Sequence, residues 1–215
     1  MPIRYLLFDL DETLYPRNAG VMQQIGRRIR SYIVETMGVS AEDADEMARR
    51  YHHDYGTSLQ GLLANHRIDP DRYLNYVHNL RLDALGPNPA LDSLLAGLPV
   101  EKVIFTNADR PHAERVLQRL AIRHHFSRII DVVAVDYVSK PNLPAYTACL
   151  RLLDATGDEC VMIEDNARNL QPAAALGMKT VLVDGDPVDR ADYHIATILD
   201  LGPVIDAICT DGACG

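Results

Sequence analysis

Apolar positions along this chain follow two rhythms. In GVMQQIGRRIRSYIVETMG, Val21, Ile25, Ile29 and Ile33 recur at every fourth residue and make one apolar face of a helix. SAED at 40–43 has the form of a capping box and predicts a second helix through about Tyr55. Gly56-Thr57-Ser58 breaks it and starts a short third helix. Asp69-Pro70 supplies an N-cap and a first-turn proline for a fourth, ending before Gly86-Pro87. From about residue 88 the rhythm changes, and short β-branched runs alternate with helical ones. VIFT at 103–106 precedes a helix from Pro111, and VVAV at 132–135 precedes one from about Leu143. VMIE at 161–164 precedes a helix from Ala167, and TVLV at 180–183 follows. Such alternation predicts an α/β fold, a parallel sheet with helices on both faces. The apolar run at 4–9 belongs to the same sheet, so residues 16–86 read as a helical insertion. The domains expected are then 1–15 with 87–215 as the core and 16–86 as the inserted unit.

Composition adjusts this picture in three places. The chain has 215 residues, is 47% hydrophobic and carries a net charge of −9, which argues against long nucleic acids as partners. No apolar run reaches the ~18 residues of a membrane span. In MPIRYLLFDLDE acids interrupt the apolar stretch at once, unlike a signal peptide. Cys149 and Cys160 sit in apolar contexts and read as buried thiols, fitting a cytoplasmic protein. The terminal CTDGACG reads as a frayed tail rather than a metal or redox clip. His52-His53 and His124-His125 read as surface or interface residues, because neighbours in a helix point about 100° apart and do not easily share an ion.

The chemistry gathers where the strands end, the edge at which open α/β sheets collect ligands. LLFDLDETLY puts Asp9 and Asp11 at the first strand end, and FTN puts Thr106 and Asn107 at the second. SKPN contributes Lys140, and IEDN contributes Glu164 and Asp165. Each piece alone has an ordinary explanation: a loop, a surface lysine, a helix cap. Together, in order, they suit phosphoryl transfer. Clustered carboxylates make an oxygen site for a hard cation, Mg²⁺ first among them. A carboxylate can attack phosphorus and form an aspartyl-phosphate. Thr106 and nearby N–H groups can hold phosphate oxygens, Lys140 can offset charge in nucleophile and transition state, and a second carboxylate can protonate the leaving oxygen and then deprotonate water.

The series DLDET, FTN, SKP and IEDN resembles the haloacid dehalogenase-like hydrolases over residues 3–200. The resemblance implies a Rossmann-like parallel sheet core with an inserted helical cap. It implies Asp9 as nucleophile and metal ligand, and Asp11 as acid/base with its main-chain carbonyl on the metal. Thr106 and Lys140 would bind phosphate, and Asp165, with Glu164 beside it, would complete the Mg²⁺ site. Asp11 favours a phosphatase over a dehalogenase, since an alkoxide leaving group needs a proton and a halide does not. FDLDETLY, YHHDYGTSLQGL and FTNADRPHAERVLQRLAI further resemble the yeast-type pyrimidine 5′-nucleotidase group. That implies nucleoside 5′-monophosphates as substrates, with Tyr55, Ser58 and Asn107 contacting them. Glu12 stands where that group often has Asn. A small phosphomonoester is the partner expected, and the oligomeric state is left open. The alternatives are a sugar-phosphate phosphatase or phosphomutase on the same core, and a non-catalytic phosphate-binding regulator.

Overall fold

The computed structural model describes residues 2–186 and 190–211. Six parallel strands form one sheet: β1 (Tyr5–Phe8), β2 (Glu101–Phe105), β3 (Phe126–Ile130), β4 (Cys160–Glu164), β5 (Lys179–Val183) and β6 (Tyr193–Ile195). Their order across the sheet is β3-β2-β1-β4-β5-β6, a Rossmann-like arrangement with β1 at the centre. Strand β1 is buried on both faces, and its residues alternate between two cores as a period of two demands. Leu6 and Phe8 point into one, with helices α5 (Pro89–Gly97), α6 (Arg110–Arg119) and α9 (Leu201–Asp211). Tyr5 and Leu7 point into the other, with α7 (Leu143–Leu153) and α8 (Ala167–Ala175). Phe8 is level with Ile104 of β2 and Ile163 of β4, so all three central strands release their next residues at one edge.

Between β1 and β2 lie α1 (Val21–Met37), α2 (Ala41–Tyr55), α3 (Ser58–Asn65) and α4 (Pro70–Val77). Their start signals act as the sequence suggests: Ser40, Thr57 and Asp69 each accept a backbone N–H of the first turn. These helices share a separate core that includes Tyr32, Ile33, Tyr51, Leu62 and Leu74. Helices α2 and α3 approach closely at Gly61, where a methyl group would sit 2.3 Å from Tyr51 Cβ. That atom is fixed to the α2 backbone, so the helices would have to separate. Gly61→Ala is therefore expected to destabilise by at least ~1–3 kcal/mol, the usual range for overpacking. A urea or thermal melt checks it, and an unchanged midpoint would contradict this packing.

The α2–α3 turn also touches the core domain. Gly56 has φ 89°, and a methyl there would lie 2.4 Å from Pro141 Cδ, so both its conformation and its contact demand glycine. Thr57 Oγ1 is 3.0 Å from Ser139 Oγ, and Ser139 N donates to Gln60 Oε1 at 3.0 Å. The Lys140–Pro141 peptide between these contacts is cis.

Several expectations need correction. VVAV at 132–135 is not a strand: β3 is FSRII, and residues 132–137 form turns. Asp131 forces the change by accepting Ala134 N with Oδ1 and Arg110 N with Oδ2. Val132 and Val135 are nevertheless buried, which is why the run looked like a strand. Helix α4 stops at Val77, well before Gly86, and α5, capped by Asn88, was not anticipated. His124 and His125 lie in a 3₁₀ turn rather than an α-helix, and both Nε2 atoms converge on Asp92 Oδ1, at 3.2 and 2.8 Å. The 100° separation does not apply there, although the group sits before β3, away from the strand ends discussed next. The first three residues of CTDGACG, 209–211, end helix α9 rather than fray, and 212–215 lie outside the described residues. No helix among the described residues is long and apolar enough to cross a membrane.

Candidate active site

The strand ends converge on a buried charge cluster. Asp9 follows β1 directly, its N–H donating to Ile163 O of β4 at 2.9 Å. Lys140, only 1% exposed, reaches it from the loop before α7. The Lys140 ammonium donates to Asp9 Oδ1 at 2.7 Å, Glu164 Oε2 at 2.7 Å and Phe105 O at 2.8 Å. An ammonium has three hydrogens, so all are committed. The geometry fits the charge-offsetting role read from the residues and leaves no hydrogen for the phosphate contact that the resemblance implies. Lys140 holds and neutralises Asp9, with Glu164 as its second counter-ion. Glu164 is occupied on its other side as well, Oε1 accepting Asn166 N at 3.3 Å.

Asn107 is drawn into the same support. Its Oδ1 accepts Lys140 N at 2.7 Å and its Nδ2 donates to Lys140 O at 3.0 Å, so its amide frames the lysine backbone. One of its two amide hydrogens is thereby committed, and Asn107 lines the cavity described below. Thr106 Oγ1 accepts Ala108 N at 3.0 Å, and its own hydrogen remains available to an incoming anion. Asp165 accepts Thr13 Oγ1 on Oδ1 at 3.3 Å and Arg17 Nη2 on Oδ2 at 3.0 Å. The single Thr13 hydroxyl hydrogen is shared between Asp165 Oδ1 and Asp9 Oδ2, the latter 3.2 Å away.

Asp11 points elsewhere. Its Oδ1 receives the Tyr15 hydroxyl and lies 2.9 Å from His112 Nε2. Burial works against its ionisation, but His112 and Tyr15 outweigh burial and hold the carboxyl below its ordinary range. The same burial, with Asp11 beside it, pushes the Tyr15 phenol far up, so it stays a donor. Glu12, next in the chain, has φ 64°, a left-handed conformation that Asn enters more readily than Glu.

One oxygen each from Asp9, Glu164 and Asp165 lies within 4.8 Å of the others. Burial, then Glu164, pushes Asp9 up to about 7 despite Lys140, and burial, then Asp9, pushes Asp165 up to about 6. Three crowded carboxylates with this little positive charge make a donor set of the kind that a hard divalent cation satisfies. Asp9 and Asp165 are the better candidates to hold it, because both Glu164 oxygens are already engaged.

Above the cluster opens a cavity of about 1040 Å³, bounded by Asp9, Asp11, Thr106 and Asp165 on the sheet side and by Ser58 and His78 on the helical side. Ser58 thus faces the cavity, with its hydroxyl near Ala48 O at 3.4 Å. Tyr55 does not: it packs edge-on against Tyr51, and its hydroxyl accepts Asn65 Nδ2 at 3.0 Å. Sequence reasoning passed over Thr13, Tyr15 and His112. For the first two a signal existed, since each lies four residues after the aspartate it serves.

The model of the haloacid dehalogenase-like hydrolases matches residues 3–177. The chain belongs to this family. Proteins with similar sequences include Phosphate metabolism protein 8 of Saccharomyces cerevisiae, 26% identical over 83% of this chain. The match spans 61% of that yeast protein's length. Glyceraldehyde 3-phosphate phosphatase of Methanocaldococcus jannaschii is 24% identical, over 97% of this chain and 100% of its own. In fold, the chain is similar to CbbY from Rhodobacter sphaeroides, solved in complex with phosphate: TM-score 0.66, 19% identity, 93% of this chain and 96% of that one covered.

Proposed function

We propose that this haloacid dehalogenase-like hydrolase is a phosphomonoesterase that works through an aspartyl-phosphate on Asp9, with nucleoside 5′-monophosphates as substrates. The observation that carries the reading is the division of labour between Asp9 and Asp11. Asp9 is fixed beside the Lys140 ammonium, as a nucleophile must be to approach an anionic phosphate. Asp11 is held apart from the lysine, by the Tyr15 hydroxyl and the His112 ring, where it can exchange a proton.

In the first step Asp9 attacks phosphorus while Asp11, ionised at rest, passes on to the departing oxygen a proton that it takes up with the substrate. In the second a water attacks, loses its proton to Asp11, and frees Asp9. Thr106 steadies a phosphate oxygen in both. Asp9 and Asp165 would hold Mg²⁺, which supplies charge neutralisation between nucleophile and phosphate. Residues 16–86 act as a cap, bringing Ser58 and His78 over the phosphate site.

The cavity supports a substrate larger than a triose: its volume is at the top of the ~300–1,000 Å³ typical of small-molecule sites. Resemblance of the cap and FTNADRPHAERV segments to pyrimidine 5′-nucleotidases points the same way. The relatives named for glyceraldehyde 3-phosphate and fructose 1-phosphate favour a second reading, a sugar-phosphate phosphatase. Phosphate release from pyrimidine, purine and nicotinamide mononucleotides and from sugar phosphates, with Mg²⁺ and with EDTA, separates the two. We expect nucleotides to be cleaved fastest and EDTA to stop turnover. Preference for a sugar phosphate would transfer the assignment, and no release from any member would sink the phosphomonoesterase reading.

A further inference from the structure

His112 is wholly buried, 0% exposed, three residues into α6, yet among the described residues only one of its ring nitrogens has a partner. That partner is Asp11 Oδ1, 2.9 Å from Nε2, while Nδ1 finds none. A histidine kept for packing alone would be replaced by an apolar residue at less cost, because a buried polar atom without a partner is unfavourable. The ring is held from two directions. On one face it stacks on His78, centroids 4.6 Å apart and planes 21° from parallel. At its base, Asp109 Oδ1 accepts His112 N at 3.0 Å and lies 2.9 Å from His78 Nδ1. Three separate segments, the β2–α6 loop, α6 and the stretch after α4, thus fix one imidazole against one carboxylate.

Both donors to Asp11 meet the same oxygen. Tyr15 and His112 engage Oδ1, and among the described residues no hydrogen bond reaches Oδ2. Asp11 lines the cavity; neither His112 nor Tyr15 does.

We propose that His112, aided by Tyr15, is the positioning residue for the acid/base Asp11: by holding Oδ1 it presents Oδ2 to the departing oxygen of the substrate. This rests on the phosphomonoesterase reading above. In the step concerned, the Asp9 oxygen bonds to phosphorus and the bond from phosphorus to the substrate oxygen breaks. The proton on Asp11 Oδ2 passes to that oxygen, so the substrate leaves as a neutral alcohol. His112 and Tyr15 keep their own hydrogens throughout. A leaving group stable as an anion has no use for that proton, and this gives the test its discrimination.

The experiment compares wild type, His112→Leu, His112→Gln and Tyr15→Phe in single turnovers with Mg²⁺. Release of the leaving group is followed from uridine 5′-monophosphate, or the alkyl phosphate cleaved fastest in the panel, and from p-nitrophenyl phosphate. We expect His112→Leu to slow alkyl release by ~10–100-fold, part of the ~10²–10⁴ that acid/base catalysis supplies, and p-nitrophenol release by far less. His112→Gln, which restores an N–H donor, should recover most of the loss. If His112→Leu does not fold, Tyr15→Phe carries the comparison with the same direction expected. Equal losses on both substrates, or none on the alkyl phosphate, would overturn the positioning role while leaving the phosphomonoesterase intact. A wild type that releases neither leaving group would remove both.

Discussion

Asp9→Asn is expected to lose phosphate release by ~10⁴-fold or more, the scale on which enzymes lose rate when a covalent nucleophile is removed. The amide is nearly the same size as the carboxylate but cannot attack phosphorus. What makes the result informative is stability. Without metal, burial first and Glu164 second raise the Asp9 carboxyl from 3.8 to about 7, against the pull of Lys140. An acid whose pKa rises on folding contributes stability at low pH and loses it as pH climbs through the folded value. The wild type in EDTA should therefore weaken between pH 4 and pH 8, whereas the variant has no proton to lose at this position. At pH 8 in EDTA the variant should melt no lower than the wild type, because Glu164 remains to pair with Lys140. Retained turnover would remove Asp9 from the nucleophile role. A marked fall in melting temperature would instead mean that Asp9 is held for structure.

Lys140→Met should have the opposite balance. It removes the one cation bonded to Asp9 and Glu164 and leaves two carboxylates in a buried site, with the Phe105 carbonyl short of its donor. Breaking a buried ion pair from one side costs about 3–5 kcal/mol, and here one ammonium serves both acids. Urea unfolding at pH 8 with EDTA should show a loss of that order, together with loss of activity. Stability should recover as pH falls toward 5, because protonation neutralises the carboxyls that the lysine no longer balances. Glu164→Gln in the same chain should recover part of it at pH 8. An unchanged midpoint would contradict the buried triad.

Much of this site was legible because strand ends are legible. An apolar β-branched run that meets a carboxylate, threonine or lysine announces its edge, and parallel strands bring those edges together. Asp9, Asp11, Thr106, Glu164 and Asp165 are neighbours for that reason alone, and Lys140 reaches them from the following loop. What the sequence did not disclose is how each polar atom is used. Nothing in SKPN says that Lys140 has no hydrogen to spare, or that Asn107 binds its backbone. Tyr55 was misplaced because the last residue of a helix can face either way, and here the ring turns toward Tyr51. His112 lies 101 residues from Asp11, and only the fold makes them partners. VVAV misled through composition: Val132 is buried against the inserted helices and Val135 in the core beside the sheet, Val133 is exposed, and Asp131 bends the backbone away from a strand.

The stitching of the α2–α3 turn to Ser139 and Pro141 has a consequence for how such an enzyme diversifies. Gly56 lies against Pro141, and Thr57 and Gln60 bind Ser139, so Lys140 is bracketed by residues in contact with the cap. Ser58, on the same turn, borders the cavity. Altering this turn to admit a different leaving group would disturb the ammonium that is bonded to Asp9, the proposed nucleophile. Drift in substrate range should therefore proceed more readily at Tyr73, Leu74 and Val77, which line the same cavity and, among the described residues, make no hydrogen bond to Ser139, Lys140 or Pro141.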